Sequence, residues 1–390
     1  MTRRRAVLPV LQLAAHTWAY VWVIGCAPVG ALSQEGGATG GSDPKAAYDL
    51  LRSGNASGAE AAFRRLLAAN AKEIAAHVGL AEALAAQGKQ AEAVQSHRDA
   101  VALNPLSVDL RMGLAASLDR AGNLAESATE LARASAYIRG DPRPVLALAG
   151  VYRRLGRLAE ASDTALMALG WAPDNPAPHM ELGAIAEARE DWGAAMAAYG
   201  AAVSLAPGLR PARLAYLAAL AGGKRHVEAE AVCRALLKAD PGDLDVRLSL
   251  AAALDGQGMH DNAISEYRAI LSATPDVPTV WGNLGWTQYS AGRLDEALAS
   301  SRKAVALDPK LAYVHYNIGL IEACRGDGAA SLAAYRTALQ AGDAADLRAA
   351  IRDVEEARKK SPASEALTRA LGLLREAYGK TGGRAQPTSR

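Results

Sequence analysis

Hydrophobic positions recur along this chain with two nested periods. Within short stretches, apolar residues fall at i, i+3, i+4 and i+7, which puts them on one face of an α-helix. Over longer distances the whole pattern returns every 34 residues, in repeats that start at 40, 74, 108, 142, 176, 210, 244, 278 and 312, with no insertion through 345. A period of that size signals an architecture in which each repeat is one supersecondary element. Every repeat carries two apolar stripes, at positions 4, 7, 8 and 11 and then at 20, 24 and 27. They predict a pair of facing helices, A and B.

Other positions test the register. Position 20 is small in all nine repeats (Ala59, Ala93, Ser127, Ala161, Ala195, Ala229, Ala263, Ala297, Ser331). Position 15 is Gly in seven, and position 32 is Pro in six, from Pro105 to Pro309. Gly at 15 ends helix A because it takes a left-handed backbone without a Cβ clash. The small residue at 20 lies where B crosses A, and a larger one pushes them apart. Pro at 32 cannot continue helix B, and it biases the residue before it towards extended geometry. One pair cannot bury both stripes, so neighbouring pairs must stack into a solenoid.

The run Gly-Asn-Leu-Gly-Trp-Thr-Gln-Tyr-Ser-Ala-Gly-Arg-Leu-Asp-Glu-Ala at 282–297, closing on Leu307-Asp308-Pro309, resembles the tetratricopeptide repeat. The resemblance covers 40–345 and implies an all-α fold, a right-handed α-solenoid of nine 34-residue helix-turn-helix units. It also implies a non-catalytic protein that holds ligands on a concave face lined by helix A positions 2, 5, 6, 9, 12 and 13. Departures from the pattern are local. Ala71 and Arg139 replace the Pro at 32, and repeat 210–243 has Leu217 at the small position 8 and Lys224 at 15, which predicts an irregularity there. After 345 the period stops. Residues 346–378 predict a C-terminal capping helix pair, with Leu347, Ile351 and Val354 on the first and Leu367, Leu371, Leu374 and Tyr378 on the second; 379–390 predict a disordered tail.

The N-terminus reads as an address. Arg3, Arg4 and Arg5 precede an apolar run from Ala6 to Ile24, the layout of an export signal over 1–33. Val23-Ile24-Gly25-Cys26 resembles a bacterial lipobox, with Cys26 as the lipidated residue, whereas Ala31-Leu32-Ser33 suits ordinary signal cleavage. The apolar run is also nearly long enough to remain as an uncleaved anchor. All three readings place the repeats outside the cytoplasm, periplasmic or membrane-anchored, and residues 34–43 then form a flexible tether.

Composition narrows the functional classes. Half the residues are hydrophobic, yet one is Phe, so the apolar content suits thin helix seams rather than a deep core. The formal charge is +2; without the three N-terminal arginines, 40 basic residues face 41 acids. Such a balance gives no electrostatic footprint for nucleic acid. His77, His179 and His315 share position 4, and His97 and Cys233 share position 24, so all five read as packing residues. Cys324 lies too far along the solenoid to bridge to Cys233. Gly222-Gly223-Lys224 lacks the upstream Gly and the strand of a phosphate loop. No catalytic, metal or cofactor signature is present, and no enzyme activity is expected.

The groove positions carry the remaining signal. In repeats 278–345 they include Asn283, Trp286, Tyr289, Tyr313, Tyr316 and Asn317, the predicted partner-binding patch. Exposed aromatics give large contact area at small rotamer cost, and amides suit an extended backbone. A secondary basic patch comprises Arg120, Arg143, Arg153 and Arg154, with Asp119 among them. The family's carboxylate clamp needs Lys at position 2, where Thr279 and Tyr313 stand, so that mode is not expected. Two functions fit: an envelope scaffold or assembly factor that binds a partner protein's segment, or a glycan- or small-ligand-binding protein using the same aromatics.

Overall fold

The computed structural model describes residues 44–342 and 344–380. The predicted export signal, Cys26, the tether over 34–43 and residues 381–390 of the predicted tail lie outside the described residues. Among the described residues every regular element is a helix. They run as consecutive pairs: α1 (Pro44–Arg52) and α2 (Ala56–Ala69), α3 (Ile74–Ala86) and α4 (Gln90–Leu103), α5 (Val108–Arg120) and α6 (Leu124–Tyr137), α7 (Pro142–Arg154) and α8 (Leu158–Trp171), α9 (Pro176–Ala188) and α10 (Trp192–Leu205). Then come α11 (Arg210–Gly222) and α12 (His226–Ala239), α13 (Leu244–Gly256) and α14 (His260–Ala273), α15 (Pro278–Ser290) and α16 (Leu294–Leu307), α17 (Ala312–Arg325) and α18 (Gly328–Ala341), α19 (Ala344–Lys360) and α20 (Glu365–Lys380). From α3 to α17 each odd-numbered helix begins on the first residue of a predicted repeat. Gly379 and Lys380, expected in the tail, belong to α20. The chain divides into two compact bodies within α11, one through Tyr216 and one from Leu217.

Position 15 explains how each helix A ends. All nine residues there have positive φ, the seven glycines between +74° and +88°, and also Glu190 at +57° and Lys224 at +60°. The left-handed turn is therefore a requirement of the repeat, and two side chains are forced into it. Helix A also starts under control. Ser107, Asp141, Asn175 and Asp243 accept backbone N–H bonds from the first turns of α5, α7, α9 and α13.

Inside each pair the fit depends on volume. Every position-20 residue is fully buried or nearly so. Ser127 and Ser331 use the same slot to donate a hydrogen bond across the pair, to the carbonyls of Ala115 and Gly319. Position 24 supplies the large core residues Phe63, Tyr199, Tyr267 and Tyr335. A Cβ on Gly183 would sit 2.5 Å from the Tyr199 ring, and one on Gly319 would sit 2.8 Å from Tyr335. Position 8 must therefore be small where 24 is large. Repeat 210–243 inverts the pair, with Leu217 at 8 and Cys233 at 24, both buried. The exchange keeps the volume of the pair, and α11 keeps the 13 residues of α9 and α13.

Position 4 does more than pack. Side-chain N–H groups of His77, Arg111, Arg247, Trp281 and His315 donate to the carbonyls of Ala71, Pro105, Pro241, Pro275 and Pro309, at 2.8–3.0 Å. Each acceptor is the position-32 residue six places upstream, so the bond pins the inter-repeat turn to the next helix.

Because Lys224 is exposed and holds a left-handed φ, Lys224→Gly relieves the Cβ strain at a small entropic cost. A gain of about 1 kcal/mol is expected, read as a raised midpoint in chemical denaturation. A loss of stability would show that the strain is absent.

Candidate functional site

The six predicted partner-binding residues lie on two adjacent A helices of the second body, Asn283, Trp286 and Tyr289 on α15 and Tyr313, Tyr316 and Asn317 on α17. None of them is exposed. Trp286 and Tyr289 sit with ring centroids 5.4 Å apart. The Tyr289 hydroxyl lies 3.9 Å from Cys324 Sγ, and Tyr316 leans on Tyr335 at 6.2 Å between centroids. Tyr313 fits over Gly282, where a Cβ would come within 2.8 Å of its hydroxyl. The patch is therefore not the open surface that the sequence predicts.

The cover comes from the chain itself. Tyr316, Leu320 and Ala323 of α17 share one apolar cluster with Leu347, Ala350, Val354 and Ala357 of α19. Trp286, Tyr289, Cys324 and Ile351 pack against it. Burial pushes the Tyr289 hydroxyl pKa up, and Cys324 with Asp353 and Glu356 of α19 adds to the shift. Tyr313 is raised by burial as well. Asn283 is 2% exposed and neither of its amide atoms has a hydrogen-bond partner, so it is not offered to an extended peptide in this state. Leu320, Ala323 and Cys324 were not predicted as part of the patch, although they occupy groove positions 9, 12 and 13 of their repeat.

Models of the tetratricopeptide repeat match residues 45–102 and 220–282, and a TPR repeat model matches 287–323. The chain is a tetratricopeptide repeat protein. As such it is a protein-interaction scaffold, in a family that is generally non-catalytic. No curated protein matches it. Among solved structures it is similar to a tetratricopeptide repeat protein from Parabacteroides merdae, at 15% identity over 67% of this chain and 97% of that one, with a TM-score of 0.49. It is also similar to a thermophilic TPR protein of Thermus thermophilus, at 23% identity over 45% of this chain and 97% of that one, with a TM-score of 0.38. YrrB, described as a TPR protein with an unusual peptide-binding site, matches at 18% identity over 55% and 94%, with a TM-score of 0.33.

The arginine stretch of this repeat protein lies in the first body and is internally paired. Arg143 of α7 reaches Asp109 of α5 at 2.9 Å and Asp141 at 2.8 Å. Arg154 pairs with Asp119 across the same two helices, and Arg153 reaches Glu181 of α9 at 2.7 Å. Arg120 donates to the Ser117 hydroxyl at 3.1 Å. Three of the four arginines are thus taken up in cross-helix ion pairs and act as staples, whereas Arg120 is exposed and bonds within its own helix. Asp109 and Glu181 hold groove positions 2 and 6, so pairing groove positions of neighbouring repeats on paper would have found them.

The packing residues follow their register. His97 is buried with Nδ1 at 3.0 Å from the Ser117 hydroxyl, and burial, with Arg120 nearby, holds its pKa down to about 4. It is a neutral core imidazole. Burial pushes the Cys233 thiol up to about 12. Among the described residues no group of His, Cys, Asp and Glu gathers as for a metal ion, and no helix is long and apolar enough to cross a membrane.

The two kinds of staple respond differently to truncation. Arg153→Met strands Glu181, only 3% exposed, and costs about 3–5 kcal/mol. Arg143→Met acts on a half-exposed pair and costs less than about 1 kcal/mol. Denaturant midpoints of the two variants check this; equal losses would contradict the assignment of the buried pair.

Proposed function

We propose that this protein is a non-catalytic scaffold or assembly factor of the bacterial cell envelope, exported and tethered through its N-terminus, which captures a segment of a partner protein on the A-helix face of α15 and α17. The observation that carries the reading is the convergence of Trp286, Tyr289 and Tyr316 on a face where the chain already seats an amphipathic helix. Aromatic side chains on rigid helices supply large contact area with few rotors to freeze, the property that concentrates binding energy at protein interfaces. The glycan-binding alternative would use the same rings and, like a protein segment, would need α19 to leave them. Tethering follows from Arg3 to Arg5, the apolar run and Cys26.

One experiment addresses both halves. A photo-crosslinking amino acid at Asn317, half-buried beside the aromatics, is compared with one at Arg336, exposed on α18. In envelope preparations the first is expected to yield a discrete protein adduct and the second none. The protein is expected in the membrane fraction, and Cys26→Ser is expected to release it. Adducts at neither position would sink the groove assignment. Unchanged fractionation of Cys26→Ser would remove the lipid anchor.

A further inference from the structure

The order of helix contacts changes after α18. Up to that point in the second body each B helix packs against the A helix that follows it, as α12 does on α13, α14 on α15 and α16 on α17. The helix that meets α18 is not the next one in the chain. α20 packs on both α18 and α17, the place a further A helix would take, whereas α19 packs on α17 and α20 and makes no comparable contact with α18. The end of the stack is therefore closed by α20. α19 instead lies along positions 5, 9 and 12 of α17, which are groove positions.

We propose that α19 is a displaceable stand-in for the partner: the face formed by α15 and α17 binds an amphipathic helix with a narrow aliphatic stripe, and such a helix takes the place of α19. The proposal rests on the groove-binding reading above and names the kind of partner. The seat fits a helix because a helix already fills it, with Leu347, Ala350, Val354 and Ala357 turned inward at helical spacing. The hold is modest. Two of those four residues are alanines, which remove little apolar surface from water. Nine of the 17 residues of α19 are charged, so it can leave the face without exposing a large apolar patch of its own. Its connections are short, Gly342 and Asp343 before it and four residues after it, so it stays tethered at high effective concentration and competes with whatever binds.

The test uses a fluorescent peptide of residues 344–360 and the full chain. Val354 is fully buried, and Val354→Asp drives α19 off the face. The peptide is expected to bind this variant about tenfold or more tighter than the wild type, and a peptide carrying the same change is expected not to bind. Ala357→Glu serves as a second variant, and circular dichroism checks that both keep their helix content. In the wild type, hydrogen exchange is expected to be faster over 344–360 than over 365–380. Equal binding to variant and wild type, no binding to either variant, or slower exchange over 344–360 would overturn the proposal. So would wild-type self-association that the peptide dissolves, which would give the seat to a second copy. A failed peptide with a surviving adduct at Asn317 would remove the stand-in and leave the scaffold reading intact.

Discussion

The close approach of the two helices within each repeat is the constraint on which everything else depends. It is set at position 20, where every residue is small and buried, and at position 8, whose size is traded against position 24. Where the trade is Gly with Tyr, as at Gly183 and Tyr199, the ring fills the space left by the missing side chain. Where it is Leu217 with Cys233, the same space is filled from the other helix. Interiors tolerate such exchanges when total volume is kept. With the pair spacing fixed, the left-handed turn at position 15 sets how helix B leaves helix A, and in five repeats the position-4 bond pins the preceding turn to the next helix. Within each body the groove positions lie on the A helices, and their chemistry is free to vary.

That freedom is used differently in the two bodies. In the first, the face is laced by ion pairs from Asp109 to Glu181, two of them deep enough that breaking one strands a charge. In the last two repeats of the second, aromatic and small apolar residues take several of the equivalent positions, and α19 lies over them. A surface that would otherwise expose Trp286, Tyr289 and Tyr316 together is kept covered, which limits unspecific association.

Much of the architecture was legible in the sequence because the period holds without slippage over many repeats. The starts at 74, 108, 142, 176, 210, 244, 278 and 312 coincide with helix starts, and Gly at 15 foretold the left-handed turns. The features that were not legible share a physical cause: they depend on a neighbour outside the repeat or on the opposite helix. Arg154 reads as a free cation until Asp119, one repeat away, is set beside it. His315 reads as packing until the Pro309 carbonyl is placed within reach of its ring. Leu217 reads as a misfit until Cys233 is seen to make room for it. The stripe on α19 announces a helix with a partner, but two helices after 345 could each have closed the stack. Only the packing of α20 on α18 assigns that role and turns α19 towards the groove.

The central claim is that the aromatic face of α15 and α17 is covered by α19 in the free protein. Hydroxyl-radical footprinting of the full chain tests it with internal standards, since the residues compared are of one type. Tyr316 is 5% exposed and Tyr137 is 41% exposed. The account predicts that Tyr316 and Tyr289 are oxidised far more slowly than Tyr137, and that Val354→Asp brings Tyr289 and Tyr316 towards the rate of Tyr137. Rapid oxidation of Tyr316 in the wild type, at the rate of Tyr137, would contradict it.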